Sequence, residues 1–186
     1  MNDSESKAVA AAIEMFTRYG ARRTSMSAIA EKADISRQTL YAIFSSKDKL
    51  LAAAMEAAIS QIYVKLERDW EHCTSVDQVI DVYFKNAVIA PFELLKKTPD
   101  LEDLIRGTEP LTYKVAEKAE AHKKKLLTKQ LQEYEHQPDA FKSNPKSVAH
   151  LIVVTGKQLK FSIKSRRELD QLLKTLKHAV LALFDN

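Results

Sequence analysis

An all-α fold is what this sequence predicts, and three observations lead there. Glycine and proline are sparse, three and five in 186 residues, too few for the many tight turns of a β protein. Apolar residues recur at three- and four-residue spacing along most of the chain, the period of a helix with one buried face. Where one such stripe gives way to the next, helix-start signals appear: a hydroxyl residue followed three positions later by an acid or Gln, or a proline that suits the first helical turn.

Taken in order, the elements number about nine. Val9, Ala12, Ile13 and Phe16 make one stripe over residues 6–19, and Gly20 stands where a left-handed cap is expected. A short second helix spans Ser27 to Ala33. The break Asp34-Ile35-Ser36 separates it from a third helix, Arg37 to Phe44, whose Leu40 and Phe44 form an i, i+4 apolar pair. Ser45 with Asp48 opens a long fourth helix that carries Leu51, Met55, Ala58, Ile62 and Leu66 to Trp70. Ser75 with Gln78 starts a fifth, and Thr98-Pro99 a short sixth ending near Gly107. Pro110 starts a seventh, Asn144-Pro145 an eighth, and Ser165 with Glu168 a ninth. The boundary falls at the fourth helix, dividing a three-helix head, residues 1–46, from a larger helical domain, residues 47–186.

Composition narrows the function classes. With 45% hydrophobic and 29% charged residues the chain can bury an ordinary core. Its start is polar and acidic, and no run approaches the ~18 apolar residues of a membrane span, so a cytoplasmic protein with no membrane partner is expected. The single cysteine, Cys73, excludes an intrachain disulfide and offers no metal cluster. No His-x-x-x-His, Cys-x-x-Cys, phosphate-cradling glycine loop or nucleophile elbow occurs, so neither an enzyme, a metal nor a cofactor is expected. The net charge of +4 permits a polyanionic partner without requiring one. Residues 51–113 hold six basic against eleven acidic side chains, and residues 142–177 nine against two. The second run reads as a solvated helical face.

Placement says more than net charge. Two short helices joined by a three-residue turn behind a supporting helix are the layout of a helix-turn-helix, which predicts a double-stranded DNA partner. Ser36 is placed to cap the third helix, so Arg37, Gln38 and Thr39 form the first turn that would enter a major groove. Arg can fork onto guanine and Gln onto adenine, while Thr can meet a thymine methyl or a phosphate.

These residues belong to a longer pattern: Phe16, Gly20, Thr24-Ser25, Ile29-Ala30, Ala33-Asp34-Ile35-Ser36, Thr39-Leu40-Tyr41, Phe44 and Lys47-Asp48-Lys49-Leu50. Over residues 9 to 51 it resembles the N-terminal region of the TetR family of regulators. Two positions depart: Asp34 replaces the usual turn glycine, and Ile43 a residue that is often His or Tyr. The resemblance implies a sequence-specific transcriptional regulator, a repressor released from its operator by a small molecule. It also implies phosphate contacts from Thr24 or Ser25, from Tyr41 and from Lys47. The larger domain is then expected to sense the ligand and to form a homodimer through residues 146–164 and 166–184. In that reading Gly156 admits a close helix, and Leu176 and Val180 lie on the dimer seam. Candidates to line a cavity are Phe84, Val88, Phe92, Leu104, Tyr113 and His150, although a core role is the plainer reading of each, and no ligand residue is assigned. The alternative is a DNA-binding dimer that serves as a protein-interaction platform with no effector.

Overall fold

The computed structural model describes residues 2–98, 110–134 and 144–183. They form α1 (Asp3–Tyr19), α2 (Met26–Lys32), α3 (Arg37–Ile43), α4 (Lys47–Trp70), α5 (Val76–Tyr83), a π-helical segment (Phe84–Ile89), α6 (Ala90–Lys97), α7 (Pro110–Gln132), α8 (Pro145–Ser162) and α9 (Arg166–Leu181). No strand occurs among the described residues, and the all-α expectation is met. The helices differ from those expected in one stretch. A single fifth helix becomes α5, the π segment and α6 in unbroken succession. The short helix expected over residues 98–107, with Leu104, lies outside the described residues.

Two compact units emerge: Met1–Gln61 with Leu94–Lys118, and Ile62–Glu93 with Ala119–Asn186. The first is built on a core of Ala12, Phe16, Ile29, Leu40, Phe44 and Leu50, all buried. Its first helix begins earlier than the apolar stripe suggests, because Asn2 and Glu5 make a capping box: the Asn2 Oδ1 accepts the Glu5 N–H at 2.8 Å and the Glu5 carboxylate accepts the Asn2 N–H at 3.3 Å. The fourth helix begins one residue later than expected, and Ser46, not Ser45, accepts the Lys49 N–H at 3.3 Å.

The second unit packs Leu66, Trp70, Ile80, Tyr83, Phe92, Leu127, Ile152 and Leu169 into one core. Trp70 donates its indole N–H to the Val79 carbonyl at 3.1 Å, which satisfies the one polar atom of a buried ring. Ser75 and Ser165 cap α5 and α9 as expected. Cys73 is partly buried, and burial pushes its thiol up, away from the reactive thiolate. A reason for the π segment lies in Asn86. Its side-chain amide donates to the Val82 carbonyl at 3.0 Å, the acceptor that an α-helical ladder would give to the backbone N–H of residue 86, and to Asp69 at 3.1 Å.

Three expectations for the larger domain are corrected by where the helices face. Gly156 does admit a close neighbour, but within the chain: a Cβ there would lie 2.9 Å from Val88 Cγ2. Val180 is fully buried and Leu176 packs against the same core, so both stabilise the unit itself. His150 and Tyr113 are exposed. In α8 the buried residues are Val148, Ala149, Ile152, Val153 and Gly156, which turns residue 150 outward. Phe84, Val88 and Phe92 are core residues.

Candidate nucleic-acid interface

The turn between α2 and α3 sets the geometry of the candidate interface. The α2 C-terminus closes as a Schellman motif: Ile35 N–H donates to the Ala30 carbonyl at 3.0 Å and Asp34 N–H to the Glu31 carbonyl at 3.1 Å. That motif needs one residue with positive φ, and Asp34 supplies it at 53°. Aspartate tolerates this region better than most residues, so the turn forms without the usual glycine. Ile35 then packs on the first-unit core.

Ser36 caps α3, its Oγ accepting the Thr39 N–H at 2.9 Å and lying 2.8 Å from the Thr39 hydroxyl. Leu40 is fully buried. The opposite side of the helix carries Arg37, Gln38 and Tyr41, all exposed, Tyr41 at 45%. Spacings of three and four place these three side chains together. Tyr41 is therefore not the half-buried packing residue that a lone helical tyrosine usually is.

The α1–α2 turn is latched by the residues expected to meet phosphates. Thr24 is only 3% exposed, and its hydroxyl donates to the Gly20 carbonyl at 2.7 Å. It fastens the end of α1, where Gly20 holds φ 81° with an extended ψ of 152° in place of the expected left-handed cap. Ser25 is exposed and accepts the Ala28 N–H at 3.1 Å as the α2 cap. Lys47 sends its ammonium to the carbonyls of Ala21 at 2.7 Å and Thr24 at 3.1 Å. An ammonium has three donors, so one N–H remains beyond these two. The arrangement ties the first turn of α4 to the turn that presents Ser25. Arg22 and Arg23, exposed in that same turn, were not singled out by the sequence reading, since a basic pair in a loop is ordinary.

A capped helix with a polar, exposed face, held by a tight turn against a supporting helix, has the layout of a helix-turn-helix. A family model described as bacterial regulatory proteins, tetR family, matches residues 8–54. Solved structures share the fold along the whole chain. A putative TetR-family regulator from Mesorhizobium loti is 19% identical with a TM-score of 0.75, over 98% of this chain and 97% of that one. A transcriptional regulator from Cytophaga hutchinsonii is 15% identical with a TM-score of 0.76, over 96% and 97%. The fatty acid degradation regulator FadR from Bacillus halodurans is 15% identical with a TM-score of 0.69, over 97% and 96%. No curated protein matches the chain. Residues 8–54 thus carry the N-terminal region of the tetR family of bacterial regulatory proteins, and the chain shares the fold of solved TetR-family transcriptional regulators. Among the described residues, no helix is long and apolar enough to cross a membrane, and no group of His, Cys, Asp or Glu is placed to hold a metal ion.

Proposed function

We propose that this protein is a repressor, that it binds a palindromic operator as a homodimer, and that a small-molecule effector bound by the second unit releases it. The observation that carries the reading is the exposed face of α3. Arg37 and Gln38 stand in its first turn, the position from which a recognition helix reaches base edges, and both make bidentate contacts there. Tyr41, Ser25, Ser36, Thr39 and the remaining Lys47 donor suit phosphate oxygens, which fix register without reading sequence. Thr24 contributes by holding the turn. The homodimer reading is supported by large apolar side chains that α8 and α9 leave exposed, Leu151 at 48%, Val154 at 49% and Leu172 at 38%, which a second copy would cover.

Fluorescence anisotropy over a salt series, with operator and scrambled duplexes side by side, tests the assignment. Arg37→Ala or Gln38→Ala costs roughly 1 to 3 kcal/mol on the operator and relaxes preference at one position per half-site. Lys47→Ala weakens all duplexes alike and lowers the salt slope by roughly two for a dimer, at about 0.9 per phosphate. Half-sites lie about 34 to 36 Å apart or a multiple of that. If both α3 substitutions leave the operator-to-scrambled ratio intact, α3 is not the reading helix.

A further inference from the structure

Two lysines occupy positions where the second unit's helices otherwise turn core residues inward. On α7, Ala119, Lys123, Leu127 and Leu131 follow one another at four-residue steps, and the three neighbours of Lys123 are buried. On α8, Ile152, Gly156 and Lys160 do the same, with Ile152 and Gly156 buried. Residues four apart share a ridge, and such ridges are what packed helices interlock. Each lysine thus stands in line with buried residues and is itself only partly exposed.

Their surroundings are cationic. Lys123, Lys157 and Lys160 stand within electrostatic reach of one another and of one carboxylate, Glu120, and Glu120 is ion-paired with Lys157. Among the described residues neither Lys123 nor Lys160 has an ion pair or hydrogen bond; the Lys160 ammonium lies 4.9 Å from the Phe161 ring centroid. Burial, with the nearby Lys123 charge, pushes Lys160 down to about 7, and burial lowers Lys123 as well. The same neighbourhood holds Tyr83, whose hydroxyl lies within electrostatic reach of Glu120 and of Tyr63, and the Tyr63 ring lies 4.4 Å from that of His122. A methionine at either position would pack without desolvating a charge, so keeping two unpaired ammonium groups here lowers stability. Groups held at such a cost are candidates for a binding site.

We propose that Lys123 and Lys160 form the anion-binding end of the effector site, taking the carboxylate or phosphate group of a small organic anion. The proposal deepens the effector reading above and rests on it. The anion supplies the counter-charge that the chain lacks. Because Lys160 is largely neutral above pH 7 in the free protein, binding an anion there takes up a proton. Affinity therefore falls as pH rises from 7 to 9.

The test uses the full chain, inorganic phosphate, and straight-chain carboxylates from butanoate to decanoate, each with its alcohol as a neutral control at matched ionic strength. Calorimetry at pH 8 in two buffers of different ionisation enthalpy reads affinity and proton uptake together. At least one anion is expected to bind with proton uptake where its neutral control does not, and the two arms tell carboxylate from phosphate. Lys160→Met and Lys123→Met are each expected to weaken binding roughly tenfold or more, the effect of losing one charge-assisted hydrogen bond. Lys160→Met also loses the proton uptake, Lys160→Arg keeps most of the affinity, and the free Met variants melt no lower than the parent. No binding by any anion, unchanged affinity in both Met variants, or a lower melting temperature in both overturns the proposal. Operator release is read separately by anisotropy. An anion that binds without shifting operator affinity leaves the site standing and overturns effector release; release by a neutral compound, with no anion bound, does the reverse.

Discussion

Gly156→Ala isolates the closest approach in the second unit. A methyl group at residue 156 would lie 2.9 Å from Val88 Cγ2 and 4.0 Å from Tyr83 Cε1. The first distance is below contact, and Val88 is 1% exposed and β-branched, with little rotamer freedom to yield. Two terms oppose each other. Alanine gains about 1 kcal/mol over glycine in a helix interior, while overpacking a rigid site costs about 1 to 3 kcal/mol. The net expectation is a loss of about 1 kcal/mol, or about 2 to 4 °C in Tm for a chain of this size. Val88→Ala alone removes two buried carbons and costs about 2 kcal/mol. In the double variant the new methyl occupies part of the space Val88 vacates, so the losses sum to less than the two singles by about 1 kcal/mol. Thermal unfolding of the four proteins at one concentration measures the cycle. A Gly156→Ala protein as stable as the parent, or strict additivity, would refute the reasoning.

Four further outcomes follow from the geometry. Lys47→Met removes two charge-donated hydrogen bonds to the α1–α2 turn and is expected to cost about 1 to 3 kcal/mol in urea unfolding; an unchanged midpoint means the latch contributes nothing. At the positive-φ turn residue, Asp34→Gly is tolerated, whereas Asp34→Val loses about 1 to 2 kcal/mol, read by the same assay. Leu151→Glu places a charge on the exposed α8–α9 surface and should give a folded monomer by light scattering and circular dichroism, whereas Val180→Glu, at a fully buried position, unfolds the unit. Finally, Lys160 has its folded-state pKa pushed down to about 7, below its unfolded value, by burial and the facing Lys123, against Glu120 and beside Lys157. The unfolded chain then holds more protons above pH 7, so this lysine makes stability rise between pH 7 and 9. Lys160→Met should lack that part of the rise; an identical pH profile in the two proteins contradicts the assignment.

Much of the head was legible because its determinants are local. A hydroxyl before a helix, a short turn with a residue able to take positive φ, and an i, i+4 apolar pair each act within a few residues, and together they outlined α2, the turn and α3. The exposure of Arg37 and Gln38 followed from their places opposite Leu40. Local pattern did not reveal which hydroxyl of Thr24-Ser25 faces outward: Thr24 reaches the Gly20 carbonyl, and that depends on how the chain turns after α1. Lys47 likewise finds its acceptors 23 and 26 residues away.

In the larger unit, sequence alone determined that the chain is helical, because periodicity is written into residue order. Tertiary structure decided what each face meets. Gly156 had the small surface that a close helix needs, and packing made the neighbour Val88 of the same chain. His150 sat among apolar residues in sequence, yet a helix advances 100° per residue and turned it outward while Ile152 and Val153 went in. Lys160 read as one member of the basic run over residues 142–177, and nothing in the sequence singled out Lys123, until α7 and α8 brought the two within electrostatic reach. Charge in a sequence is a sum, whereas its energy depends on which groups share a desolvated space, and only the fold brings those groups into one place.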